Sequence, residues 1–376
     1  MKLPTLYAKA SNGNIKVWSI WTSNGSIFVE FGKLGGKLQI QQTDTLVGKN
    51  IGKANETTNV EQAELEAKSK WNKQVDRDYK ESVEELEQST LPPLAKKYQD
   101  AKHLLGEEYD ALPKYDGVRC TLFHKDGKVT FQSRGGKSYP EIKEISEVLI
   151  ETVWSDRPNL VLDLELYSHG MFLEDIVSAV KKTKASTDKI GAWIFDIHDP
   201  EEPEMVWEDR YKLYRSLEVY KTNNPSKHRV GLVAATRITC EADMLTFHAE
   251  CVAKGLEGVV LRKLDGKFTF GHRTSDFQKY KVAMDEEFKV IRFEVDKNGC
   301  AIPWCAIDNS VDSTRTEFKA PLVGTRERQQ KIAENQHKYI GKYITVVFES
   351  YTKYGIPGKP KGHNFREVDK DGNPIE

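Results

Sequence analysis

The residue most able to do chemistry is a lysine, Lys114, which opens the stretch Lys114–Arg119 (KYDGVR). An apolar-leaning run precedes it, and two alternating runs around Asp126-Gly127 follow, which predicts a β-hairpin. Lys114 should therefore lie at the end of a strand, where a turn through Gly117 presents a lysine and an arginine together. A lysine amine is a nucleophile only when it is neutral, so it needs burial or cationic neighbours to lower its pKa. Alternatively, Lys114 is one of 56 Lys and Arg residues and is merely solvated.

Later apolar stretches carry carboxylates. Residues 160–167 are typical of a buried strand, yet they include Asp163 and Glu165, and residues 192–197 place Asp196 beside Phe195. A carboxylate in an apolar strand is costly unless it is paired or bound to a metal. These acids therefore favour a functional interpretation over a purely structural one.

Two more predicted strands complete the set of chemically capable residues. Residues 256–263 carry an acid, Glu257, at their second position, and residues 278–282 should carry Lys279 and Lys281 on one side of a strand. Apolar spacing predicts helices at residues 140–154, 173–182, 207–219 and 241–254. Strands and helices both abound, so the predicted class is α+β.

Chain length, composition and net charge exclude several classes of protein. A chain of 376 residues is too long for one ordinary core, so two or three domains are expected. No run of about 18 apolar residues exists, and the N-terminus lacks the apolar core of a signal peptide. The five cysteines are scattered without a Cys-x-x-Cys pair, which favours a reducing compartment and argues against a disulfide framework or a zinc site. Because the net charge is only −1, any nucleic-acid binding must come from local basic surfaces.

The first 82 residues are predicted to form a small separate module. Alternating runs at 15–21 and 26–31 flank Asn24-Gly25, a hairpin signal, and a helix is expected at 60–79. This plan resembles a WGR domain, a small DNA-binding module, although Phe31 and Lys33 replace the signature tryptophan and arginine. The resemblance implies that Lys33 and Lys37 contact DNA phosphates. The alternative is a β-rich structural addition whose lysines are only solvated.

The motifs of the second part occur in a fixed order. They are Lys114 with Arg119, Ser133-Arg134, Glu165, Phe195, Glu257, and Lys279 with Lys281. This set resembles the nucleotidyltransferase motifs of ATP-dependent DNA ligases, whose superfamily also contains RNA ligases and mRNA capping enzymes. The resemblance covers residues 97–376. One departure is that the family's Asp-Gly-Glu reads Asp163-Leu164-Glu165 here, which loses the backbone freedom of glycine.

The resemblance implies a role for each of these residues. Lys114 attacks the α-phosphate of ATP to form a lysyl-AMP, and positive charge at Lys279 and Lys281 stabilises that phosphate. Glu257, with Glu165, is the implied ligand of magnesium. The remaining implied contacts are with the nucleotide and the DNA: Phe195 and Val259 with the two faces of adenine, Arg119 and Glu165 with the ribose, and Arg134 with the 5′-phosphate at the nick.

The last part of the chain has alternating runs at 288–293 and 343–348 and a helix-like stretch at 326–338. These are compatible with a five-stranded OB-fold, which binds nucleic acid along one face. The tail resembles the C-terminal strand of small phage-type ligases, in which an Arg-x-Asp-Lys motif orients the pyrophosphate leaving group. The resemblance implies that Arg366 has this role, and Arg366 is also predicted to bind DNA. Asp369 and Lys370 follow it with spacing one residue wider than in the family. Alternatively, the tail is a basic, glycine-rich end.

The sequence therefore predicts an α+β multidomain protein: a WGR-like module at 1–82, a linker at 83–96, a nucleotidyltransferase (ATP-grasp-like ligase adenylation) domain at 97–282 and an OB-fold at 283–376. The predicted activity is ATP-dependent sealing of nicked duplex DNA by an intracellular, cytoplasmic monomer that uses ATP and magnesium. Small size is also compatible with a virus-encoded enzyme. Two alternatives stay open: an RNA ligase or capping-type transferase with the same lysine chemistry, and a non-catalytic nucleic-acid-binding protein with a decayed core.

Overall fold

The computed structural model describes residues 1–10, 13–77, 79–86, 90–101, 108–217, 229–307, 311, 314–367, 369 and 375. The chain divides into two compact units, one of Met1–His169 with Ile176–Tyr280 and one of Gly170–Asp175 with Lys281–Glu376. Both contain strands and helices, which agrees with the predicted α+β class. None of the described helices is both long enough and apolar enough to span a membrane.

The N-terminal part of the first unit is a four-stranded antiparallel sheet covered by one helix. Its strands are β1 (Leu6–Lys9), β2 (Ile15–Ser23), β3 (Ser26–Lys33) and β4 (Leu38–Gln42), paired in that order. Asn24 and Gly25 join β2 to β3 with φ of 48° and 78°, as a tight hairpin turn requires. Helix α1 (Asn59–Val75) starts at a capping box made by Thr58 and Glu61. The predicted hairpin is confirmed, and the predicted helix is present but ends at Val75 instead of Tyr79. The WGR assignment stays a prediction.

Two further sheets form the rest of the first unit. One has the order β12-β11-β10-β7-β8-β9 and the other β13-β6-β14-β15-β5. Their strands are β5 (Leu94–Lys97), β6 (Tyr109–Lys114), β7 (Val118–Lys125), β8 (Lys128–Ser133), β9 (Ser138–Tyr139), β10 (Val161–Tyr167), β11 (Gly191–His198), β12 (Val230–Leu232), β13 (Thr236–Ile238), β14 (Gly258–Lys263) and β15 (Arg273–Tyr280). The chain crosses from one sheet to the other between β6 and β7, immediately after Lys114. The stretch predicted as a linker, 83–96, contains the first three residues of β5, which pairs with β15.

The helices of this region largely follow the predicted ranges. They are α2 (Tyr98–Ala101), α3 (Lys143–Leu149), α4 (Leu173–Lys181), α5 (Trp207–Ser216) and α6 (Glu241–Ala253). The helix expected from Pro140 begins only at Lys143, because Ile142 is extended and buried, and it continues as a π-helical turn, Ile150–Trp154. Part of the predicted range 207–219 lies outside the described residues.

The described strands of the second unit form a five-stranded sheet with the order β18-β17-β16-β19-β20. They are β16 (Met284–Val295), β17 (Ala301–Ala306), β18 (Glu317–Lys319), β19 (Tyr343–Phe348) and β20 (Lys361–Arg366). A parallel bridge between Leu322 and Gly362 links the two edges, so the sheet is partly closed. Helix α7 (Arg326–Glu334) and a 3₁₀ turn, Gln336–Lys338, fill the predicted helical stretch. Five strands with partial closure are what the predicted barrel requires.

Candidate active site

Lys114 is the last residue of β6 and lies opposite Gly258, the first residue of β14. The backbone N–H of Glu257 donates to the Lys114 carbonyl at 3.0 Å, which fixes the two chain segments side by side. The Lys114 ammonium forms an ion pair with the Glu257 carboxylate. The two side chains are 23% and 17% exposed, so the pair lies in a partly buried site that remains open to a substrate. The structure thus brings together the predicted nucleophile and the predicted metal-binding acid.

The turn after Lys114 packs against the strand that carries Glu165. A Cβ on Gly117 would lie 2.5 Å from the Leu166 carbonyl oxygen and 2.9 Å from the Glu165 Cγ, so no larger residue fits there. Burial raises the pKa of Glu165 to about 8; Lys114 and Arg119 oppose this effect, while Glu257 adds to it. Glu165 is therefore electrostatically coupled to both members of the Lys114–Glu257 pair.

Arg119 is held within the wall of the site. Its Nε donates to Asp163 Oδ1 at 2.9 Å, its Nη2 binds the other carboxylate oxygen, and its Nη1 donates to the Pro93 carbonyl at 2.6 Å. Asp163 is fully buried, and burial raises its pKa more than Arg119 lowers it. Arg119 also lies directly opposite Glu165 in the pairing of β7 with β10. The sequence paired Arg119 with Glu165 alone; it missed the bidentate contact with Asp163.

The unusual Asp163-Leu164-Glu165 sequence causes no local break. Leu164 is fully buried within β10 and has ordinary strand geometry. The register between β10 and β11 does shift next to it, and Phe195 is the extra residue on β11. A bulge of this kind re-aims a side chain, and here it falls at the predicted adenine-stacking residue.

The structure separates Val259, which was predicted to contact the adenine face opposite Phe195, from the cluster that contains Phe195. Val259 is fully buried in a cluster that includes Met244 of α6. Val260, the next residue, instead packs in the cluster that contains Phe195. Side chains alternate along a strand, so the two valines face opposite sides of the sheet. The sequence placed two valines in succession but gave no signal as to which one faces Phe195.

The two lysines expected on one strand are separated by the fold. Lys279 lies in β15 opposite Val260 of β14, whereas β15 ends at Tyr280 and Lys281 belongs to the second unit. Within that unit, Lys281 Nζ lies 2.9 Å from the Glu349 carboxylate. Burial would raise the pKa of Glu349, but contacts with Lys359 and Lys281 outweigh it and lower the pKa to about 2. The prediction of one strand for both lysines is wrong because the chain leaves the sheet between them.

A buried charge cluster that the sequence did not reveal lies behind Phe195. Asp196 is fully buried and accepts from Arg210 Nε at 2.9 Å, and Arg262 Nη1 lies 2.9 Å from its other oxygen. Burial acts to raise the pKa of Asp196, yet the two arginines outweigh it, so the pKa is lowered. Because Asp196 belongs to β11 and Arg262 to β14, this cluster joins the two sheets. An acid in an apolar strand was visible from the sequence, but its two partners were not.

The remaining predicted site residues belong to other elements of the first unit or to the second unit. Arg134 is exposed in the turn after β8, and Lys33 and Lys37 are exposed at and after the end of β3. Arg366 ends β20 and its Nε donates to Glu287 at 3.1 Å. Lys370 lies outside the described residues.

Comparison with known proteins agrees with this arrangement. Residues 92–281 match the family model described as "ATP dependent DNA ligase domain". The DNA ligase of African swine fever virus (isolate Tick/Malawi/Lil 20-1/1983) is 26% identical over 358 residues, with 91% of this chain and 84% of the viral protein covered. The solved structure named Pmar-Lig_Pre. has a TM-score of 0.64 at 18% identity, with 76% of this chain and 70% of that chain covered. A solved Lig E DNA ligase has a TM-score of 0.56 at 19% identity, with 73% of this chain and 99% of that chain covered. Because the family model spans half of the sequence and includes Lys114, Glu165, Glu257 and Lys279, the chain belongs to the ATP-dependent DNA ligase family.

Proposed function

We propose that this ligase seals nicks in duplex DNA through three nucleotidyl transfers in which Lys114 is the nucleophile. First, the neutral Lys114 amine attacks the α-phosphorus of ATP, a P–N bond forms, and pyrophosphate leaves. Second, a 5′-phosphate oxygen at the nick attacks the same phosphorus, and the lysine amine leaves. Third, the 3′-hydroxyl attacks the 5′-phosphate, a phosphodiester forms, and AMP leaves.

The observation that carries this proposal is the placement of Lys114 against Glu257 on one face of a sheet. Lys114 lies opposite Gly258, and Lys279 lies opposite Val260 two residues further along β14. Residues opposite each other, and residues two apart on a strand, point to the same face. The amine, an acid and a second cation therefore surround one space, which suits attack on a phosphate whose negative charge grows during the reaction.

The adenosine contacts are proposed on the same face. Phe195 and Val260 share one cluster, so we assign the two sides of the adenine to them, with Val260 in place of Val259. Glu165 is the proposed ribose contact. Arg119 donates hydrogen bonds to the Asp163 carboxylate and the Pro93 carbonyl. Through these bonds it positions β10, the strand that carries Glu165. Lys281 remains a proposed phosphate contact.

Glu257 and Glu165 fit a magnesium ion. Magnesium prefers oxygen ligands and typically takes one or two carboxylates together with substrate phosphates. Within the described part of the chain, no group of three or more His, Cys, Asp or Glu residues could hold a metal without a substrate. When bound, the ion would neutralise phosphate charge. In that state Glu257 would release the Lys114 ammonium, which must lose a proton before it can attack.

The proposed DNA contacts come from exposed cations in both units. Arg134 is assigned to the 5′-phosphate of the nick, Lys33 and Lys37 to phosphates of the duplex, and Arg366 to the substrate near the barrel. The barrel of the second unit is assigned as an OB-fold, a fold that binds nucleic acid along one face. The N-terminal module is assigned a role in raising affinity for nicked DNA.

The test uses two nicked duplexes of identical sequence, one all DNA and one with ribonucleotides at the break. Sealing of the DNA nick with ATP, and its loss in Lys114→Ala, are expected. Sealing of the ribonucleotide-containing nick alone would favour an RNA ligase instead. Failure to seal either duplex would contradict the proposal.

A further inference from the structure

A group of three aromatic rings, to which no role has yet been assigned, adjoins the nucleophile. Tyr115 follows Lys114 in the chain, and its ring stacks on the indole of Trp193, with the ring centroids 5.5 Å apart and the planes 20° apart. The Tyr115 ring also packs against the ring of Tyr167, with the centroids 4.9 Å apart. Tyr167 belongs to β10 and Trp193 to β11, so the three rings join the turn after Lys114 to the sheet that carries Phe195.

Trp193 lies on the same face of its sheet as Glu165. The two residues are directly opposite each other in the pairing of β10 with β11, and directly opposite residues point to the same face. Glu165 in turn lies opposite Arg119 of β7. Trp193 also packs in the cluster that contains Phe195 and Val260. It therefore belongs to the wall of the candidate active site, although no sequence motif pointed to it.

Two glycines make room for the indole of Trp193. Gly231 of β12 is paired with Trp193, and a Cβ at Gly231 would lie 2.8 Å from Cζ3 and 2.9 Å from Cε3 of the indole. A Cβ on Gly191 would lie 3.2 Å from the indole Nε1. Any side chain at Gly231 would therefore displace the indole. Because the strand backbone fixes the position of the indole, Trp193 is a rigid support for the Tyr115 ring.

Tyr167 holds the same turn at a second point. A Cβ on Gly117 would lie 3.1 Å from the Tyr167 Cβ, so the turn is in direct contact with β10. The Tyr167 hydroxyl is hydrogen-bonded to His169 Nδ1 at 2.8 Å. Burial and then the nearby Asp116 raise the pKa of Tyr167, so its hydroxyl remains neutral near pH 7. The turn after Lys114 is thus packed against side chains of both β10 and β11.

The Lys114 amine must be aligned with the α-phosphorus as well as deprotonated. A displacement of about 1 Å in a reacting group can slow a reaction by about 100-fold. One anchor of the Lys114 backbone is the hydrogen bond that the Glu257 N–H donates to the Lys114 carbonyl at 3.0 Å. The next residue along the chain is Tyr115, whose ring is stacked on Trp193. This stack is therefore a second anchor for the nucleophile.

We propose that Trp193 is a positioning residue for the adenylation step and that it acts through Tyr115. The stack fixes the turn after Lys114 and so directs the Lys114 amine at the α-phosphorus. Trp193 takes no part in forming the P–N bond or in the departure of pyrophosphate. This inference rests on the proposed function, in which Lys114 is the nucleophile, and deepens it by identifying what holds the nucleophile in place.

The experiment measures the rate of formation of the Lys114–AMP adduct over a range of ATP concentrations in the full-length protein. The variants are Tyr115→Leu, Trp193→Leu and the double variant, each assayed well below its own unfolding midpoint. Each single substitution should lower the rate constant at saturating ATP by about 100-fold and leave the KM for ATP unchanged. Because the two rings act as one unit, the double variant should be no slower than the slower single variant.

Two further variants separate positioning from a general loss of stability. Trp193→Phe keeps an aromatic ring beside Tyr115 and should restore most of the rate. The control is Trp154→Leu, which removes a buried tryptophan stacked on His124 in the same unit. It should lower the unfolding midpoint but form the adduct at the wild-type rate. If Trp193→Leu does not fold, Gly231→Ala displaces the indole without removing it and should cause the same loss of rate.

Three results would overturn the inference while leaving Lys114 as the nucleophile. Wild-type rates in the Tyr115 and Trp193 variants would show that the stack does not position the amine. A raised KM with an unchanged rate at saturating ATP would assign Trp193 to nucleotide binding instead. Losses that multiply in the double variant would show that Trp193 does not act through Tyr115. Absence of the adduct in the wild type would instead contradict the proposed function itself.

Discussion

Asp196 offers a sharp test of how the two sheets behind the active site are held together. The substitution Asp196→Asn keeps the shape of the side chain but removes the negative charge that faces Arg210 and Arg262. Both arginine side chains are about as buried as Asp196 itself, at 2% and 3% exposure. In addition, Arg262 Nε and Nη2 make no hydrogen bond within the described part of the chain. The variant therefore leaves buried positive charge without its acid.

Removing one partner of a buried ion pair typically costs about 3–5 kcal/mol. For a unit of this size, such a loss should lower the midpoint of thermal unfolding by on the order of 10 °C. The control is Asp209→Asn. Asp209 immediately precedes Arg210 in the sequence and forms an exposed ion pair with Lys212. Exposed pairs contribute little, so this variant should unfold like the wild type. The midpoints are compared by circular dichroism at pH 7, and equal midpoints for the two variants would refute the argument.

Three further predictions concern the site itself. Gly117→Ala should abolish adduct formation from ATP, because its Cβ would collide with the Leu166 backbone, whereas Gly135→Ala, whose Cβ meets nothing within 4 Å, should not. Because burial raises the pKa of Glu165 from 4.5 to about 8, the folded protein binds a proton there that the unfolded chain has already released. The stability of the wild type should therefore fall as the pH rises between these two values. Glu165→Gln should flatten this pH dependence, as measured by unfolding curves at several pH values. Val260→Ala should raise the KM for ATP in an adduct assay with little loss of stability, whereas Val259→Ala should instead lower the unfolding midpoint, since Val259 is fully buried.

Local patterns were sufficient to predict the elements that carry the chemistry. Lys114 lies at the end of a strand as expected, and the Asp126-Gly127 hairpin forms, because turn chemistry and alternation act within a few residues. The strand bearing Asp163 and Glu165 was predicted to within one residue. The requirement that a buried acid be paired or bound to a metal is met at Asp163, whose partner is Arg119.

The errors arose where long-range contacts decide the outcome. The alternation of side chains along a strand predicts that Val259 and Val260 lie on opposite faces of the sheet. Which valine lies on the face of Phe195 is decided by α6, which packs against Val259. Lys279 and Lys281 share a sequence motif, yet the chain leaves the sheet between them. The partners of Asp196 lie 14 and 66 residues away, so no local pattern could reveal them.

The proposed function depends on a covalent bond between Lys114 and AMP. The most direct measurement incubates the full-length protein with ATP labelled at the α-phosphate, digests it, and locates the label by mass spectrometry. We predict one adenylated peptide that contains Lys114. When a nicked duplex is added before digestion, the label should leave Lys114, pass through adenylated DNA and appear as AMP. Lys114→Ala and Lys114→Arg should carry no label. Label on another residue, or equal labelling of Lys114→Ala, would contradict the account.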